Sequence, residues 1–161
     1  MERRDTEFKD LQAAVADARL LLEKGCEAAG EWDLAQVCGH CSYAINSSID
    51  GFDSSPPFFI KLLAKIAGMK KKIYRTRALK SGLPAPSVSI PAPANGDRDT
   101  ETKAVEEFSA AVNRITQYSA SLQPHPVFGQ ISRDEWLEFH TIHAMHHLSF
   151  LVPVGTVEAA A

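Results

Sequence analysis

Apolar residues return at helical spacing along four stretches of the chain. Phe8, Leu11, Val15, Ala18 and Leu22 recur every three or four positions, which predicts a first helix over about 5–29. Gly25 and Gly30 should fray its end. A second helix opens near Trp32-Asp33, where Asp33 can cap it, and stops at Gly51. Val105, Phe108, Val112, Ile115 and Tyr118 mark a third helix over about 99–121, which Pro124 and Pro126 bar from continuing. The fourth begins at Ser132, which makes a Ser-x-x-Glu capping box with Glu135, and runs to about 151, before Pro153. Strand signals are thin: 87–90 alternates, but prolines flank it. The pattern predicts an all-α, up-and-down four-helix bundle.

A connection of about 45 residues between helices two and three exceeds a simple bundle loop. Phe58, Phe59, Leu62, Leu63 and Ile66 predict an extra short amphipathic helix within it, docked on the bundle. A Pro/Ser/Ala-rich run then leads to Asn95-Gly96. From 54 to 96 there is no Asp or Glu, while Lys61, Lys65, Lys70, Lys71, Lys72, Arg75, Arg77 and Lys80 supply 8 of the chain's 17 Lys and Arg residues. This segment either neutralises an acidic bundle surface or faces an anionic ligand, where it could act as a lid.

At 161 residues, 45% hydrophobic and 23% charged, the chain reads as a single globular domain over 1–161. A formal charge of −3 supplies no whole-molecule attraction to nucleic acid or anionic membrane. No stretch approaches the roughly 20 apolar residues of a membrane span. The charged N-terminus lacks a signal-peptide core, so a cytoplasmic location is expected. Three cysteines preclude a full disulfide framework. Cys38-x-x-Cys41 invites a zinc or redox reading but has no second ligand pair. Both cysteines fall beside Leu34, Val37 and Ile45 on the apolar face, where free cysteine packs as a small hydrophobe.

Four of the six histidines fall within eight residues of the fourth helix. His143 and His147 stand i, i+4, about 40° apart on one face, a spacing that lets two imidazoles reach one ion. His143 shares a stripe with Trp136, Phe139 and Phe150, where its nitrogens need partners. A metal would satisfy them; hydrogen bonds to other side chains are the alternative. His140 lies one turn before His143 on the same side, and His146 lies too far round to join the pair. The third ligand should come from another helix. His40, the only histidine of helix two, lies on the edge of its apolar face, where a partly exposed residue is the plainer reading. His125, in a His-Pro turn, is a weaker candidate.

Trp32-x-Leu34-x-x-Val37-x-x-His40, with His143-x-x-His146-His147 far downstream, resembles the DinB-like (YfiT-like) superfamily. More narrowly, His125-Pro126-Val127-Phe128-Gly129 and Ser132-x-x-x-Trp136 resemble a subgroup of it without assigned function. The resemblance runs from the first helix to Leu151. It implies a four-helix bundle with one divalent metal near one end, on His40, His143 and His147, and a homodimer. Some members resemble transferases that use small thiols such as bacillithiol or mycothiol. Many members follow the last histidine with Arg-Gly-Gln; here Leu148-Ser149-Phe150 stand instead, removing a positive charge near the site.

A zinc or nickel ion on three nitrogens would keep one position open, as catalytic metals do. These features suggest a metal-dependent transferase or hydrolase acting on a small, anionic or thiol-bearing molecule, with His140 orienting a ligand or moving a proton. The alternative is a non-catalytic metal-binding bundle with a stress or partner-binding role.

Overall fold

The first helix begins later and ends sooner than its apolar periodicity predicts. The structure, a computed structural model, describes residues 2–53, 65, 67–80 and 89–155, and in it α1 spans Leu11–Lys24. Asp10 caps it, its carboxylate accepting the Ala13 N–H at 2.8 Å. Gly25, at φ +74°, ends it in a conformation that an L side chain rarely adopts. The next residues form β1 (Cys26–Ala28), paired antiparallel with β2 (Leu151–Pro153) in the register Cys26 to Pro153 and Ala28 to Leu151. This pairing adds a minor sheet to the expected all-α bundle. It takes up the backbone that had been expected to extend the first and fourth helices, leaving a helical bundle with a small two-stranded sheet.

The remaining long helices are α2 (Leu34–Asp50), α4 (Arg98–Gln117) and α5 (Arg133–Leu148), with the short α3 (Met69–Thr76) in the connection. The predicted caps form. Asp33 accepts the Gln36 N–H at 2.9 Å while the Gln36 side chain accepts the Asp33 N–H at 3.2 Å. Ser132 and Glu135 exchange the same pair of bonds at the start of α5. At the far end of α4, Arg133 donates to the carbonyls of Ile115, Thr116 and Tyr118, groups that helix geometry leaves without partners.

Each long helix turns an apolar stripe inward. Leu21 of α1, Leu34 and Ile45 of α2, Phe108 and Ile115 of α4, and Trp136 and Leu148 of α5 are essentially inaccessible to solvent. Burying each such aliphatic or aromatic side chain contributes about 1.5–3 kcal/mol. Cys38 and Cys41 belong to this core and carry free thiols. Burial raises the Cys41 thiol to about 12 and holds Cys38 well above the ordinary range, so both act as packing residues rather than nucleophiles.

The helix expected around Phe58–Ile66 lies outside the described residues. The connection's described helix is α3, farther along, with Ile73 its one buried residue. Part of its charge faces the acidic start of α5: Lys70 lies 2.5 Å from Glu135, and Arg77, just past α3, 3.1 Å from Glu138. At these two positions the basic segment neutralises the bundle's own acids. Among the described residues, no helix is long and apolar enough to cross a membrane.

Candidate metal centre

His143 and His147 project from adjacent turns of α5 toward α2, where His40 meets them. The Nε2 atoms of His40 and His143 are 3.1 Å apart, and those of His147 and His143 are also 3.1 Å apart. Taking one ligand nitrogen from each residue, all three lie within 4.8 Å of one another. A tetrahedral ion with metal–nitrogen bonds of about 2.0–2.1 Å would separate its ligands by roughly 3.3 Å. The two 3.1 Å separations are close to that, the third pair lies within 4.8 Å, and the donor set fits.

Tautomers sharpen the argument. Nδ1 of His40 lies 3.1 Å from both the carbonyl and the hydroxyl oxygen of Ser89. A carbonyl only accepts, so Nδ1 carries the proton and Nε2 presents a lone pair to the cluster. One ring nitrogen of His143 then faces two others. A single N–H on it cannot point at both, so without a cation lone pairs crowd together. Desolvation, followed by mutual repulsion among the rings, lowers His143 well below the usual histidine range and His147 to about 3. Burial lowers His40 as well. The three rings are therefore neutral near pH 7, the form that ligates metal.

Aromatic rings wall the cluster. Trp32 stacks on His147, with centroids 5.1 Å apart and planes 13° apart, and meets His40 edge-on at 5.0 Å. Phe139 lies against His143 at 5.9 Å. His40 is buried, while His143 and His147 are half-buried.

The other histidines do different work. His140 joins none of the three by a hydrogen bond. Its Nε2 lies 3.1 Å from the Ser48 hydroxyl, which itself donates to the Ile45 carbonyl and must therefore accept the His140 N–H. Its ring stacks on Trp136, and its Nδ1 is buried with no partner among the described residues. His125 holds its own turn together, Nδ1 accepting the N–H groups of Val127 and Phe128. His146 touches His147 edge-on at 4.9 Å without adding a nitrogen to the cluster.

Two contributors escaped the sequence reading. Ser89 reaches His40 only because the end of the long connection returns to the start of α2. There Asp33 accepts the Ala94 N–H and Gln36 donates to the Pro91 carbonyl. Gly39, beside His40, is the second. A Cβ at that position would lie 2.6 Å from the Pro91 ring, so glycine permits the close approach that carries Ser89 to His40.

A family model described as a protein of unknown function, DUF1569, matches residues 1–154. The chain belongs to the DUF1569 family. That family is part of the DinB-like superfamily, and the helical bundle agrees with it. Neither the curated proteins nor the solved structures provide a match to this family member. Membership gives the fold a lineage and leaves the activity to be argued from the cluster.

Proposed function

We propose that this DUF1569 protein is a metal-dependent enzyme of transferase or hydrolase type, acting on a small molecule. One divalent ion, zinc or nickel, would be held by His40, His143 and His147. The observation that carries this reading is the convergence of three neutral imidazoles on one point, two of them half-buried. Among the described residues the group has three members and no fourth protein ligand, an arrangement typical of catalytic rather than structural sites. When bound, such an ion supplies Lewis acidity to a water or thiol. The protein's part is to fix the rings. Ser89 sets the tautomer of His40, and Trp32 and Phe139 brace His147 and His143 and limit access of bulk water. Thiol transfer is the favoured subclass, on the superfamily resemblance.

The decisive experiment is cobalt substitution. A small thiol or carboxylate should shift the visible spectrum of the cobalt protein by entering the open position. A spectrum indifferent to every small ligand would leave a non-catalytic metal-binding bundle instead. His140→Ala separates two roles for that residue in the same assay. An acid–base role would preserve the cobalt spectrum and cut turnover by about a hundredfold or more. A packing role would lower stability by about 2–4 kcal/mol, as for other large-to-small core changes.

A further inference from the structure

We propose that a second site, separate from the three-histidine cluster, binds a small oxyanion bearing a carboxylate or phosphate group. It is a cleft of about 570 Å³ between the segment preceding α1, the end of α3 and the outer side of α5. That volume is in the range of small-molecule sites. Arg3, Arg4, Thr6, Arg75, Arg77 and His146 contribute to its lining.

The four arginines divide into two pairs. Arg4 and Arg77 build the walls. The terminal nitrogens of Arg4 donate to Asp17 at 2.9 and 2.7 Å and to the Leu148 carbonyl at 3.0 Å. Those of Arg77 donate to Glu138 at 3.1 Å and to the Phe8 carbonyl at 2.8 Å. Arg3 and Arg75 are exposed and form no ion pair among the described residues. Arg3 lies over the Phe150 ring at 5.6 Å.

Unmet hydrogen-bonding capacity points to the ligand's chemistry. Among the described residues, four buried side-chain polar atoms lack partners, and three of them belong to residues that line this cleft: Arg4 Nε, Thr6 Oγ1 and Arg77 Nε. The Arg77 Nε is 4.0 Å from a Glu7 oxygen, too far for a hydrogen bond. An N–H or O–H left buried without an acceptor is costly, so a bound oxygen toward which these side chains could turn would recover that cost. Two arginine charges free of ion pairs among the described residues suit oxygen anions, which guanidinium groups bind well. Asp5 and Glu7 also line the cleft and oppose this attraction; like Arg3 and Arg75 they are solvent-exposed, so screening weakens the opposing and attracting charges alike and the four arginines still outnumber the two acids.

The proposal does not depend on the metal reading, and its test is run without a metal site. In a His143→Ala background, inorganic phosphate is titrated at constant ionic strength and followed by phosphorus NMR line-broadening. Acetate is titrated separately as the carboxylate arm, followed by backbone amide shifts around Arg3 and Arg75. Saturable binding of phosphate, acetate or both is expected, and which anion binds names the group recognised. The Arg3→Ala/Arg75→Ala double variant should weaken binding at least tenfold. Lys71→Ala, on α3 but outside the cleft lining, should change it less than twofold. No saturable response to either anion, or equal affinity in the double variant, would overturn the proposal.

Discussion

Gly39→Ala makes a small change next to the candidate metal centre without touching a ligand. Its new Cβ would stand 2.6 Å from Pro91 Cγ and 3.3 Å from Cδ. Carbon–carbon contacts are comfortable at about 3.5–4.0 Å, so Pro91 must retreat by roughly 1 Å. Ser89 lies two residues earlier and would move with it. Its contacts to His40 Nδ1 would stretch from 3.1 Å to roughly 4 Å, beyond hydrogen-bonding range. Losing the group that orients a metal-bound histidine typically weakens affinity about 10–100-fold. The effect on stability should be small. Overpacking costs about 1–3 kcal/mol, while replacing a mid-helix glycine by alanine returns up to about 1 kcal/mol. The expected signature is thus a large loss of zinc affinity in a chelator-competition titration, with a modest change in urea midpoint. Zinc affinity within twofold of the unsubstituted protein would refute the claim that this contact orients His40.

Two further outcomes follow from the rings around the cluster. Burial lowers the pKa of His125 to about 4 and of His140 to about 3, so as pH falls below about 6.5 the unfolded chain protonates first and the metal-free fold loses stability. Each group contributes up to about 1.4 kcal/mol per pH unit until its folded pKa is reached; urea unfolding at pH 7.5, 6 and 5 checks this, and constant stability between 7.5 and 5 would contradict it. Because Trp32 stacks on His147 at 5.1 Å, cobalt or copper binding should quench part of the tryptophan emission. Trp32→Phe should remove most of that quenching, and quenching that survives the substitution would place the ion elsewhere.

What the sequence makes legible is mostly local. The i, i+4 pair on α5, the cap at Asp33 and the capping box at Ser132 are read within single turns, and the structure forms all of them. His40 is legible once a third nitrogen is required, because α2 carries no other histidine. The pairing of Cys26–Ala28 with Leu151–Pro153 is not, since three-residue strands are too short to show alternation and their partner is distant in the chain. Helix α3 is equally hidden. It buries only Ile73, and its apolar side is Met69 and Ile73 at i, i+4 with Tyr74 beside them, too few positions in eight residues to stand out as a repeat. Ser89 gives no local signal because its role exists only after the connection folds back onto α2. Gly39 could have raised the question, as a glycine inside a helix costs stability unless something needs the space; here Pro91 needs it.

Metal content of protein purified without an affinity tag tests the central claim most directly. After exposure to zinc or nickel and exhaustive desalting, elemental analysis should find about one ion per chain, and His40→Ala, His143→Ala and His147→Ala should each remove it while remaining folded by circular dichroism. An unsubstituted protein that retains no zinc or nickel, or a His143→Ala variant that retains as much as the parent, would contradict the assignment of these three histidines as a metal centre.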